Sequence, residues 1–391
     1  MSATMIYVGG WFQRTSLHLG EIYDFCKGNP SPLNLNESKL AKLRKDLELT
    51  TVQFVLGDLD CIHLTNKNGI EVKIFEDGLL VLGTKPKKIS KDIEKLTYYY
   101  ENELSKAFNY IFSLGAPVPK ELAGITSIYP YFIVFNKEKR TNIEKVLKEF
   151  NQTKTFEIDE RTFEIIRGDK LYIINNTSEK AETIEKLVQE QIFIREFGSQ
   201  MHRYLNIHRI VWEKIADVKE RGKLKGKEIG QFKTQLESYR KTINLIGSRI
   251  NQMDSYVSTR KNILRKYKNL DAFENVLHFK HDTLLNTLAY LKNLWSMTEN
   301  YVNRADALFA ALQAKSTEAS VNNLAIITSM GVGATLIGLF ANPEVPKLSW
   351  LGASYFFALA FVGFTANKLI KILYSKRVYE ITDTQLAKDI K

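Results

Sequence analysis

Cysteine is scarce in this chain. Cys26 and Cys61 are the only two, which excludes a disulfide framework and fits a reducing compartment. Proline is missing between Pro130 and Pro343, so nothing in that stretch forces a helix to end. Met1–Pro30 lacks a basic segment followed by a long apolar core, so no secretory signal is expected. Enzyme signatures are absent as well. There is no phosphate loop ending in Lys-Ser/Thr, no Gly-x-Ser-x-Gly and no Cys-x-x-Cys. Gly331-Val332-Gly333 lies inside an apolar run and is not a nucleotide loop. The chain is therefore not expected to be an enzyme.

Charge is absent from two runs, Ala319–Ala341 and Trp350–Asn367. Each is close to the roughly 20 residues that a helix needs to cross the hydrocarbon of a bilayer. Together they predict a transmembrane hairpin, with helices at 319–341 and 350–367 and a short outer loop at 342–349. Trp350, Tyr355 and Tyr374 lie near the ends of the second run, where interfacial aromatics sit. Lys368, Lys371, Lys376 and Arg377 follow it, and the positive-inside rule places the 368–391 tail in the cytoplasm. An even number of spans puts the N-terminal part there too. The expected location is the inner or plasma membrane, multi-pass, with both termini cytoplasmic and the lipid bilayer as a partner. The net charge of +11 has two readings, a basic surface for anionic lipid or a phosphate-bearing ligand, or the ordinary positive bias near a membrane.

Along the chain, residues 1–178 read as a mixed domain. Strand signals fall at Met5–Val8, Val52–Leu56, Cys61–Thr65, Glu71–Phe75, Leu79–Leu82 and Tyr129–Phe135. A hairpin is expected from Phe156–Ile166 and Leu171–Asn175, around Arg167-Gly168-Asp169. Helical patterns cover Thr15–Lys27, Glu37–Leu47, Lys91–Leu114 and Asn142–Phe150. From about Glu179 the period is helical almost without pause, which predicts helices near 180–219, 228–267 and 271–341 and a stalk region over 179–318. The last helix would be roughly 100 Å long at 1.5 Å per residue. The expected fold class is an α+β cytosolic domain, then long coiled-coil-like stalk helices, then the two-helix transmembrane hairpin.

Leu284, Leu288, Leu291, Trp295, Thr298, Val302, Ala305, Phe309 and Leu312 alternate in steps of four and three, a heptad seam that packs on other helices. On the opposite face Asn286, Asn293 and Asn300 lead to Ala307, Ala314, Val321, Thr328 and Thr335. That face either lines a pore or packs through small residues. The pore reading assigns Val321, Thr328, Gly331, Thr335 and Gly338 to the lining and makes Leu324 and Leu339 apolar constrictions that close by dewetting. His278, His281 and Asp282 share one helical turn, where they read as metal ligands or, more commonly, as a polar patch. Gly9-Gly10-Trp11-Phe12-Gln13-Arg14-Thr15 follows a strand. Trp11 and Arg14 there either hold an anionic ligand or form a turn with a packed indole.

The layout resembles the CorA family of divalent-cation channels and its relatives, including the zinc transporter ZntB. In sequence pattern the resemblance covers about 322–373. Leu324-Ala325-Ile326-Ile327 looks like the family's start of the first span, and Val345-Pro346-Lys347-Leu348-Ser349-Trp350 like its Met-Pro-Glu-Leu-x-Trp loop. The resemblance implies a homo-oligomer, a pentamer in known members, whose first span lines the pore. Gly338-Leu339-Phe340 stands where the family has Gly-Met-Asn, so magnesium selectivity does not carry over. A divalent cation stays open and no metal site is assigned. The sequence is compatible with a CorA-like branch that lacks this signature and is associated with type III CRISPR antiviral systems. That branch implies a small nucleotide ligand, S-adenosylmethionine joined to AMP, with no direct nucleic-acid partner. The expected function is an ion channel gated from the cytosolic domain. The alternatives are a housekeeping divalent metal transporter with altered selectivity and a non-conducting membrane-anchored scaffold.

Overall fold

The computed structural model describes residues 3–13, 18–30, 35–115, 128–220, 223–266 and 271–341, with 350, 358, 361–362, 364–365, 368–369, 372, 376 and 378–380. Between 315 and 341 the described side chains are those of Thr328, Ser329, Gly331 and Val332. By internal contact the chain divides into two units. One is Met1–Leu205 with Leu245–Asn293, and the other is Asn206–Asn244 with Leu294–Lys391.

The first unit is built on a nine-stranded sheet in the order β2-β3-β4-β5-β1-β6-β9-β8-β7. The strands are β1 (Met5–Trp11), β2 (Leu49–Val55), β3 (Cys61–Asn66), β4 (Glu71–Phe75), β5 (Leu79–Thr84), β6 (Tyr131–Asn136), β7 (Phe156–Asp159), β8 (Phe163–Arg167) and β9 (Leu171–Asn176). All neighbours are antiparallel except β6 and β9, which pair in parallel from Tyr131↔Leu171 to Asn136↔Asn176. The β1–β6 pairing brings the first strand between two halves that are distant in sequence. The expected long strand Phe156–Ile166 is two strands, because Glu160–Thr162 turns the chain and the Glu160 amide donates to the Phe163 carbonyl at 3.0 Å.

Period-2 alternation sorts the side chains of β1. Ile6 and Val8 join a core with Ile22, Phe25, Leu96, Tyr99, Phe108, Ile143 and Leu147. Those residues come from helices α1 (Leu19–Lys27), α3 (Ile89–Tyr99), α4 (Ser105–Gly115) and α5 (Arg140–Glu149), and Leu40 of α2 (Glu37–Asp46) joins them. The expected single helix Lys91–Leu114 carries a π-helical segment, Tyr100–Leu104, between α3 and α4. Trp11 packs instead against residues of α6 (Ala181–Glu220) and α7 (Gly226–Lys266): its ring lies 5.1 Å from that of Phe197 and 5.7 Å from that of Tyr256. Gly9 permits this approach. A Cβ there would sit 2.3 Å from the Leu80 carbonyl oxygen and 3.1 Å from the Ile192 side chain.

Three long helices follow the sheet, close to where the periodicity predicts them. They are α6 (Ala181–Glu220), α7 (Gly226–Lys266) and α8 (Asp271–Ala341), of 40, 41 and 71 residues. Each contributes to both units. Leu284, Leu288, Leu291, Trp295, Thr298, Val302 and Phe309 of the seam are buried. Asn286, Asn293, Asn300, Ala307 and Ala314 on the opposite face are exposed. In the second unit Trp212 stacks on Tyr301 at 4.6 Å, Phe232 meets Phe309 at 6.2 Å, and Arg240 pairs with Asp306 at 3.2 Å. A two-stranded sheet, β10 (Lys223–Lys225) with β11 (Val378–Glu380), completes that unit.

Among the described residues no helix is long and apolar enough to cross a membrane. This finding overturns the expected two-helix transmembrane hairpin, and α+β with long helices is the fold class that stands. A span needs about 20 consecutive, predominantly apolar residues in a helix. The first run is instead the end of α8, a single helix whose earlier turns carry charge and a one-sided seam. The second run is described only at isolated positions. The multi-pass placement in the inner or plasma membrane falls with the hairpin, and so does the inferred sidedness of the termini.

Candidate functional site

The turn between β4 and β5 is three residues long and closes on Gly78 at a φ of 89°, a conformation that glycine adopts without strain. It delivers Asp77 to the face of the sheet that Trp11 occupies. There the Asp77 carbonyl accepts the Trp11 indole N–H at 2.8 Å, and its carboxylate accepts the Leu79 amide at 3.2 Å. The same carboxylate takes a two-pronged pair from Arg260 of α7, through Nε and through Nη2 at 3.0 Å. Arg260 Nη1 donates to Glu190 of α6 at 2.6 Å, and the guanidinium lies over the Phe193 ring at 4.6 Å. On α8, His281 Nδ1 donates to the Leu277 carbonyl at 2.8 Å, and its Nε2 faces Glu190 Oε2 at 3.4 Å.

All four side chains are buried, Arg260 at 2 % and His281 at 1 % exposure. Burial lowers the pKa of Arg260, but Asp77 and Glu190 outweigh it and hold the proton more tightly than usual. Burial raises the Glu190 carboxyl, but Arg260 and then His281 overcome it and keep the pKa below the ordinary value. Two carboxylates against one guanidinium leave one negative charge beside His281. Glu190 Oε2 and His281 Nε2 have no hydrogen-bond partner. The set thus ties a sheet turn to three helices with one contact left slack. A cavity of about 380 Å³ opens onto it, lined in part by Cys61, His63, Lys73, Glu185, Glu190 and Arg260. Burial pushes the Cys61 thiol up to about 11, which leaves it a poor nucleophile.

Trp11, read from the sequence as either a ligand contact or a packed indole, is 1 % exposed with its N–H committed to Asp77; Arg14 lies outside the described residues. Thr328 is exposed and Gly331 half-buried, while the side chains of Val321, Leu324, Thr335, Gly338 and Leu339 lie outside the described residues. The His278 side chain lies outside the described residues; His281 meets Leu277 and Glu190, and Asp282 pairs with Lys261 at 2.5 Å. Among the described residues no group of His, Cys, Asp and Glu is arranged to hold a metal ion. Sequence reasoning passed over Asp77, Glu190 and Arg260. A signal existed, because Arg260 continues the buried stripe Ile250, Met253, Val257 at helical spacing, and Glu190 sits between Leu187 and Phe193. A charge on an apolar stripe needs a partner.

No family model and no curated protein matches the chain. Among solved structures, it is similar to the CorA magnesium transporter from Methanocaldococcus jannaschii, with a TM-score of 0.30 and 10% identity over 64% of this chain and 91% of that one. At this TM-score the likeness carries no argument, and it says nothing of a CRISPR-associated branch.

Proposed function

We propose that this chain is a ligand-controlled coupling protein, in which the α+β unit senses a small ligand and passes the change to its long helices. The observation that carries this reading is the buried Asp77–Arg260–Glu190 set with His281 beside it. Burying these ions costs several kcal/mol each, and apolar residues of equal size would serve stability as well or better. A charge set of this kind is suited to fixing register between elements and to being shifted by a change in one partner. A ligand must favour one arrangement by about 5.5 kcal/mol to move a 1:99 population to 99:1. The ligand implied by the sequence resemblance is a nucleotide second messenger of S-adenosylmethionine joined to AMP, and the working form is a homo-oligomer, a pentamer by the same resemblance. Hydrogen exchange of the full chain with and without that compound tests the reading. Ligand-dependent protection in α7 around Arg260 supports it, and an unchanged α7 at saturating ligand overturns it.

A second reading makes ion conduction the output of the coupling. It is favoured by the sequence pattern of Leu324–Ile327 and Val345–Trp350. Ion release from liposomes prepared with the purified chain tests it. Release that depends on the ligand supports conduction, and no release at saturating ligand overturns it.

A further inference from the structure

On the far half of the sheet, β8, β9 and the start of β7 border a second cleft of about 540 Å³. Its lining includes Arg167, Lys280, Tyr172, Phe156, Gln191 and Asp169. Antiparallel pairing sets Arg167 directly opposite both Phe156 and Tyr172, which brings cation and aromatics to one place. The Arg167 guanidinium lies over the Tyr172 ring at 5.5 Å. Phe156 is 54 % exposed, although it belongs to a strand.

One carboxylate, that of Asp169, shares the lining with the two cations. Among the described residues neither Arg167 nor Lys280 makes an ion pair; Lys280 donates to the neutral Gln191 amide at 3.1 Å. Burial, and then Arg167, hold the Lys280 pKa below its ordinary value. Arg195 is close enough to Tyr172 to act on its phenol, and although it pairs with Glu196 at 2.8 Å, its Nε and Nη1 are buried without hydrogen-bond partners. Apolar Ile158 and Ile165 with Phe156 offer a face to a flat ring, and the volume is in the range of small-ligand sites.

We infer that this cleft binds a phosphate-bearing nucleotide, with the phosphate on Arg167 and Lys280 and the base against Phe156 and Tyr172. The inference rests on the reading that the chain answers to a ligand, and it supplies the link to the buried charge set. Gln191 follows Glu190 on α6, and Lys280 precedes His281 on α8. A phosphate that draws Lys280 away from Gln191 moves the residue next to the slack His281–Glu190 contact.

Calorimetric titration of the full chain with AMP, GMP, UMP, adenosine and inorganic phosphate tests the site. At least one nucleotide is expected to bind, with adenosine and phosphate each at least tenfold weaker. Arg167→Gln and Phe156→Ala, both at exposed positions, are expected to weaken that nucleotide at least tenfold without a change in circular dichroism. No binding at about 1 mM, a Kd scale of only ~4 kcal/mol, overturns the assignment. Unchanged affinity in both variants overturns it too. A single-stranded oligonucleotide that binds tenfold more tightly than every mononucleotide replaces the small ligand with a strand and overturns it as well. Hydrogen exchange separates the two readings. Nucleotide binding that the variants weaken, with α7 unmoved, keeps the cleft and removes the coupling. Protection in α7 that persists in both variants does the reverse.

Discussion

Arg260 and Arg167 belong to the same unit and meet opposite circumstances. Arg260 is buried with two carboxylates and an aromatic face within reach. Arg167 stands at a cleft with a tyrosine ring, a lysine and no ion pair among the described residues. The first arrangement neutralises charge so that a sheet turn and three helices keep one register. The second leaves charge unspent, which is how a surface keeps the capacity to recruit an anion. A side chain of the same chemistry is structural in one place and receptive in the other, and the number of carboxylates within hydrogen-bond reach makes the difference.

The comparison is broken most sharply at Arg260. Arg260→Met strands Asp77 and Glu190 in the core, and a loss of roughly 3–5 kcal/mol is expected in urea unfolding of the full chain. Adding Asp77→Asn and Glu190→Leu should recover most of that loss. A single variant that costs under 1 kcal/mol would mean that the pairs do not hold the register.

Acid sharpens the same point by a smaller amount. The folded Glu190 pKa lies below its unfolded value near 4.5. Its contribution is therefore complete above that value and fades as pH falls through the lower folded pKa. In Arg260→Met the partner that lowers the pKa is gone, so the stability gap to the native chain should narrow as pH falls from 6 to 3.5. A gap that is constant across that range would contradict the charge account.

At the open cleft the effects are smaller. The folded Lys280 pKa lies below the unfolded 10.5, so the unfolded chain binds more protons in the window between them. Stability attributable to Lys280 should rise with pH across that window, by under about 1 kcal/mol. Arg167→Gln removes the like charge and should flatten the rise in a pH series of urea midpoints. The smallest effect is that of Arg167→Gln at neutral pH, expected within about 0.5 kcal/mol of the native stability. A loss above 2 kcal/mol there would make Arg167 a structural residue like Arg260.

Much of this molecule was legible before any coordinate. The helical period from about 180 to 341 with no proline located α6, α7 and α8, because a helix repeats locally and its breakers are local too. Glu71–Phe75 is a strand at the residues read from the turns that flank it. The seam from Leu284 to Phe309 was readable for the same reason. Sheet order was not, since the pairing of β1 between β5 and β6 joins residues whose spacing no local pattern records. The uncharged runs at 319–341 and 350–367 are sequence facts, yet hydropathy alone did not decide what helix each belongs to. Trp11 shows the limit from the other side. An indole after a Gly-Gly turn read more readily as packed than as a ligand contact, but only the approach of α6 over Gly9 shows what it packs against. The charge sets lie furthest from the sequence. Asp77, Glu190, Arg260 and His281 come from four elements, and Arg167 and Lys280 from two. Side-chain chemistry is written in the chain, whereas whether a charge meets its opposite is decided by packing.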